Sequence, residues 1–127
     1  MRNLQLFILT ISLTLLSCNN DNVSTKDQEA ENLKKMRTEI FLLSASKQCE
    51  DPADWDFTAI GSNACGGPTG FIAFSLKLNT TAFLEKVKKY TNSQKEFNVK
   101  WEIISTCDLP PFPSSIRCVD GKAQLIY

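Results

Sequence analysis

CGGPTGFIAFSLKL, residues 65–78, is the segment on which the fold turns. Its second half alternates: Ile72, Phe74, Leu76 and Leu78 point one way and Ala73, Ser75 and Lys77 the other, the period of a β-strand. Its first half sets two glycines beside a cysteine, as some phosphate-cradling loops do. Such a loop needs successive backbone N–H groups aimed at the anion, at a helix N-terminus and often with a lysine. Here Pro68 removes one of those N–H groups, no Gly-Lys-Ser follows, and the chain runs on into a strand. The glycines therefore read as a sharp corner, stiffened by Pro68 and pinned by Cys65.

Working outward, Trp55, Phe57 and Ala59 alternate as a short strand after the turn signal Asp51-Pro52. Asp51, Asp54 and Asp56 lack the spaced oxygen ligands and terminal bidentate Glu of a calcium loop, and are expected to bond the local backbone. Further upstream, Leu33, Met36, Ile40 and Leu43 recur at spacings of three and four. They predict a helix that begins within the acidic end of the polar stretch before Leu33 and ends near Ser44, with Glu31 and Lys35 as a supporting pair on its wet side. Downstream, Phe83, Val87, Tyr90 and Phe97 share a stripe with Gln94, and predict a second helix from Thr80 or Thr81, either one its N-cap, to about Val99. WEIISTC, residues 101–107, is rich in β-formers and reads as a strand. Ile116–Val119 and Ala123–Tyr127 flank Asp120-Gly121, a strong hairpin signal. The sum is one α+β domain, with two helices packed on one face of a small, roughly four-stranded antiparallel sheet.

The N-terminus carries different information. Arg2 precedes an apolar run from Leu4 to Leu16 that breaks at Ser17-Cys18. As a helix that run spans roughly 20 Å, short of the ~30 Å hydrocarbon core, and suits a secretory signal better than a membrane span. Leu15-Leu16-Ser17-Cys18 resembles the bacterial lipobox, with a bulkier Leu16 than is usual. That resemblance implies cleavage after residue 17, Cys18 as the mature N-terminus, and acyl chains on Cys18 that anchor the protein to the membrane. Residues 18–30 are then the lipidated Cys and a polar tether in which Val23 is the one large apolar residue, and residues 31–127 are the domain.

Arg2 is the only charge in the first 17 residues, so 13 basic and 14 acidic residues remain. A near-neutral domain lacks the electrostatic footprint of a nucleic-acid binder. A domain this small needs staples. With Cys18 set aside for lipid, four cysteines remain, an even number in an exported chain, with three possible connectivities. Short loops favour Cys49–Cys65 and Cys107–Cys118, the first contributing about 3 kcal/mol on a loop-entropy argument and the second somewhat less. A zinc site is disfavoured because no close Cys pair has ligand spacing and the chain has no His. The absence of His also removes the commonest general base and the Ser-His and Cys-His nucleophile pairs. We therefore expect no enzyme and no cofactor.

DLPPFPSS, residues 108–115, lies between Cys107 and Cys118 and is the candidate binding loop, through Pro110, Pro111, Phe112 and Pro113. A loop held by a disulfide and three prolines loses little entropy on docking. Phe112 is either an exposed anchor or folded back onto the sheet. Position in the sequence allows both.

The spacing Cys49…Trp55-Asp56-Phe57…Cys65-Gly66-Gly67-Pro68-Thr69-Gly70, then Phe71…Ser75, Trp101-Glu102-Ile103-Ile104-Ser105-Thr106-Cys107…Pro110…Cys118…Gly121…Tyr127, resembles a family of small uncharacterised lipoproteins of the Bacteroidota. The resemblance covers most of the mature chain. It implies an exported, lipidated, disulfide-containing domain on the cell envelope, with the outer membrane as its site, and brings no catalytic residue. Asn19-Asn20-Asp21-Asn22 has one acidic residue and poorly matches the acidic surface-export signal of that phylum, leaving both faces of the membrane open. The expected function is a non-enzymatic, monomeric, protein-binding lipoprotein. The alternatives are an extracytoplasmic protease inhibitor using residues 108–115 and a structural or immunity-type envelope protein.

Overall fold

Thr25 starts the first helix, α1 (Lys26–Ser44), with a capping box. Its hydroxyl accepts the Gln28 N–H at 3.3 Å, while the Gln28 side chain accepts the Thr25 N–H at 3.0 Å. A computed structural model describes residues 24–127. The signal peptide read at 1–17, the lipidation of Cys18 and the first part of the tether lie outside the described residues. Within the polar stretch 18–30, whose acidic end is where the helix is expected to begin, residues 26–30 are the start of α1. Their cap and the docking of Glu29, described below, outweigh their lack of apolar side chains.

The second helix, α2, spans Thr80–Lys100. Its cap is Asn79 rather than either threonine, with Asn79 Oδ1 accepting the Ala82 N–H at 3.0 Å. Strands β1 (Trp55–Ile60) and β2 (Gly70–Ser75) pair antiparallel, with Trp55 opposite Ser75 and Ile60 opposite Gly70. Strands β3 (Ser115–Val119) and β4 (Lys122–Ile126) form a second hairpin. Its turn places Asp120 at φ 50° and Gly121 at φ 73°, the mirror-image turn that an Asp-Gly pair favours. The fold is α+β, with two helices and four antiparallel strands. The strands are divided between two hairpins rather than joined in one sheet.

The β1–β2 hairpin is apolar on both faces, and this makes the layers. Ile60, Ile72 and Phe74 face the helices, where they meet Ile40 of α1 and Phe83 and Val87 of α2. The Phe74 and Phe83 rings stack at 5.0 Å. On the opposite face Trp55 and Ala73 pack against Ile116, Cys118, Ala123 and Leu125 of the second hairpin. Leu33, Met36 and Leu43 complete the expected α1 stripe against the first core.

The expected strand over residues 101–107 does not form. After α2 the chain reverses through Glu102, at φ 49°, and the Ile103 N–H returns to Asn98 O at 2.9 Å. Ser105, Thr106 and Asp108 are then held by a single side chain, Asn63, instead of by a strand ladder. Local β-propensity loses to these lateral fastenings.

The disulfides correct the short-loop pairing: they join Cys49 to Cys118 and Cys65 to Cys107, with Cα–Cα distances of 5.3 and 5.4 Å. Cys49 lies before β1 and Cys65 beyond it, and a six-residue strand holds such positions about 20 Å apart. The Cys49 N–H donates to Gly121 O at 2.9 Å, which seats Cys49 beside the β3–β4 turn and within reach of Cys118. The bonds span 69 and 42 residues. On the loop-entropy account each contributes about 4 kcal/mol, more than the short pairing offered.

One carboxylate ties the start of α1 to the end of α2. Glu29 accepts from Lys100 Nζ at 2.5 Å, from the Ser24 hydroxyl and from Trp101 Nε1 at 2.8 Å. These bonds, Lys100 first, hold its pKa down to about 2 from an ordinary 4.5.

Cys65 and Cys107 are exposed, whereas Cys49 is 4% exposed and Cys118 half-buried. Graded reduction with alkylation and peptide mapping will label Cys65 and Cys107 first, and labelling in the reverse order contradicts this layering. Because folding lowers the Glu29 pKa, its contribution is full above 4.5 and is lost as pH falls toward about 2. Thermal unfolding of Glu29→Gln will therefore fall less than that of the wild type over this window, and parallel curves would refute the clamp.

Candidate functional site

The site begins with the corner that joins β1 to β2. Its first residues are fixed to a polar strip of α2: the Gly61 N–H donates to Thr91 Oγ1 at 3.0 Å, the Ser62 N–H donates to Gln94 Oε1 at 2.9 Å, and Asn98 Nδ2 donates to Ser62 O at 2.8 Å. The corner closes on itself through Asn63 N–H to Gly67 O and Gly66 N–H to Asn63 O, both at 2.9 Å. Gly66 and Gly67 take φ of 95° and 82°, the region glycine adopts without strain. The Asn63 and Gly66 N–H groups are spent on these internal bonds and Pro68 has none to give, so the stretch is a corner and not an anion cradle.

The corner in turn supports the segment from 102 to 114. Cys65 bonds Cys107, Asn63 Nδ2 donates to Asp108 O at 3.2 Å, and Asn63 Oδ1 accepts from the Ser105 hydroxyl. Leu109 lies directly over Gly67, where a Cβ would come within 2.6 Å of Leu109 Cδ2. At the far end the Ser114 N–H and hydroxyl both donate to Ile126 O, at 2.6 and 3.0 Å, and hand the chain to β3. The proline loop is thus held on both sides.

Its four candidate residues separate. Pro113 is buried and Pro110 half-buried, whereas Pro111 and Phe112 face outward. Phe112 satisfies part of each expectation. Its ring meets Phe71 edge-on at 5.1 Å and Phe57 at 5.5 Å, yet 72% of the residue remains exposed. Phe57 and Phe71 are themselves 6.2 Å apart and nearly perpendicular. Three aromatic rings in mutual edge contact thus form the surface beside β1 and β2, with Leu109, 64% exposed, on the same loop.

Sequence reasoning found Phe112 but missed its two supports. The alternation Trp55, Phe57, Ala59 puts Phe57 on a strand face but names no partner for it, and Phe71 falls one residue before the alternation Ile72, Phe74, Leu76. The available signal was parity: Phe71 shares the face of Ala73, which pairs with Phe57.

The aspartates bond locally. Asp51 accepts the Ala53 N–H at 2.9 Å, Asp56 accepts the Phe57 N–H at 2.7 Å, and Asp54 pairs with Lys77 at 2.6 Å, which raises the Lys77 pKa. Among the described residues no cluster of three His, Cys, Asp or Glu side chains could hold a metal, and all four cysteines there are in disulfides. What the aromatic surface offers is apolar contact area. No protein-family model, curated protein or solved structure matches the chain.

The exposure of Phe112 sets the cost of removing it. Its edge contacts are each of a kind that contributes about 0.5–1.5 kcal/mol, and the prolines and Asn63 hold the loop without it. Phe112→Ala is expected to lower unfolding stability by about 1 kcal/mol in a denaturant titration, whereas a loss several times larger would make Phe112 a core residue.

Proposed function

We propose that this chain is an exported lipoprotein of the bacterial cell envelope, anchored through Cys18, which binds another protein through the Phe57–Phe71–Phe112 surface and performs no catalysis. The observation that carries the reading is an aromatic ring 72% exposed on a loop fastened at both ends. Aromatic residues are favoured anchors at protein interfaces, and a loop already held in place gives up little freedom on binding. The lack of any His in the sequence and the engagement of the four domain cysteines in disulfides support the non-enzymatic part. The lipobox-like Leu15-Leu16-Ser17-Cys18 and the resemblance to Bacteroidota lipoproteins support the anchor and the outer-membrane location.

A protease inhibitor presenting residues 108–115 is the more specific form of this reading, favoured by the outward turn of Leu109, Pro111 and Phe112 on one fastened loop.

The test is comparative capture from envelope and culture-supernatant proteins, with wild type, Phe112→Ala and Leu42→Ala side by side. Leu42 is 67% exposed on α1, away from the loop, and serves as the control. We expect one protein to be retained by wild type and Leu42→Ala and lost with Phe112→Ala. If that protein is a protease whose activity falls on binding, the inhibitor form holds. Retention by all three variants would remove the aromatic surface from the interface and leave a structural or immunity role on another face.

A further inference from the structure

We infer that the end of the domain formed by the start of α1 and the end of α2 rests on the lipid surface, through Val99, Trp101 and Ile104. This inference depends on the anchor proposed at Cys18. It concerns a different part of the molecule from the aromatic site.

Glu29, one turn into α1, holds Lys100 and Trp101 at the last turn of α2, so the two helix ends form one end of the molecule. Ser24 belongs to this end, since its hydroxyl donates to the same Glu29. Six Cα-to-Cα steps lead from Cys18 to Ser24, and even a fully extended chain of that length reaches only about 20 Å. An acylated Cys18 therefore keeps this end, and not the opposite one, against the bilayer. Apolar side chains are exposed at this end, on either side of the exposed Glu102 at the chain reversal. Ile104 is 94% exposed and Val99 74% exposed, with the half-buried Trp101 ring between them in sequence.

The Lys100 ammonium lies 5.0 Å from the centre of that ring. Trp is the side chain most at home at a membrane interface, and a lysine there can keep its charge in the headgroup layer. Charge does not drive the contact: Glu29 pairs with Lys100, Lys26 and Lys95 are followed directly by Asp27 and Glu96, and the exposed Glu102 adds a negative charge beside Trp101. The surface is thus matched to lipid through apolar contact, with the tether supplying a high local concentration. Docking should be as strong on zwitterionic as on anionic lipid.

The test uses the full chain, expressed in bacteria, recovered from the envelope and reconstituted into phosphatidylcholine vesicles with or without bromine on the acyl chains. The chain has two tryptophans, so Trp55→Phe leaves Trp101 as the sole reporter. Brominated lipid is expected to roughly halve Trp101 emission, and Ile104→Asp, at an almost fully exposed position, to restore most of it. A reporter at the opposite end, Leu76→Trp in a background without Trp55 and Trp101, should be indifferent to bromine.

If Trp55→Phe does not fold, wild-type protein serves, because Trp55 is 8% exposed and adds a constant background. The mass of the N-terminal peptide separates the two ideas. An unacylated Cys18 overturns the anchor and the docking together. An acylated chain whose Trp101 ignores bromine, or whose Leu76→Trp reporter is quenched equally, overturns the docking alone.

Discussion

A two-stranded hairpin with apolar side chains on both faces cannot stand in water, and the rest of this structure is the response to that constraint. Ile60, Ile72 and Phe74 require cover on one side and Trp55, Phe57 and Ala73 on the other. Two helices supply the first cover. The second is shared between the β3–β4 hairpin, which takes Trp55 and Ala73, and the proline loop, whose Phe112 takes Phe57 and Phe71. Three layers result from a chain of modest length, and none of the outer layers has a core apart from the central hairpin. Cooperativity between the layers is therefore expected of the fold itself.

The disulfides act on the two ends of this arrangement. Cys49–Cys118 joins the exit from α1 to the second hairpin, beside the turn where the Cys49 N–H meets Gly121 O. Cys65–Cys107 joins the β1–β2 corner to the segment that follows α2. Each bond links segments far apart in the chain, so each restrains the arrangement of layers and not merely a local loop. Hydrogen bonding repeats the pattern at one end: Thr91, Gln94 and Asn98 fix the corner to α2, Asn63 fixes the following segment to the corner, and Glu29 fixes α1 to α2.

How much of this was legible in the sequence depended on whether the signal was local. The stripe Leu33, Met36, Ile40 and Leu43, the stripe Phe83, Val87 and Tyr90, the alternation around Phe74 and the Asp120-Gly121 turn all report on residues a few positions apart, and each locates an element. Gln94 showed itself as a polar residue inside an apolar stripe, but its partner, the Ser62 N–H, is 32 residues away. The cysteine pairing failed for the same reason. Chain length ranks loops by entropy, whereas the positions of Cys49 and Cys65 at opposite ends of β1 are a property of the assembled layers. Trp101–Cys107 misled because its β-forming side chains are real, while the side-chain bonds from Asn63 that hold it are non-local. Of the candidate site, Phe112 and its loop were visible, and the aromatic pair beneath it was not.

The physical distinction between a connector and a binding surface lies in what the fold requires of Phe112. Crossing from Cys107 to β3 is already secured by the disulfide, by Asn63, by the buried Pro113 and by the bonds from Ser114 to Ile126. A single exposed apolar side chain would need no explanation, since folded proteins carry many. Phe112 differs in its setting. Its ring is held edge-on by Phe57 and Phe71, which restrict its rotation while leaving most of its surface in water. A restrained apolar surface is what an interface gains from most, because burying it releases water without the full cost of ordering a flexible side chain. The same two rings that give Phe112 its modest share of stability therefore favour the proposed interface, by limiting the ordering that covering the ring would cost.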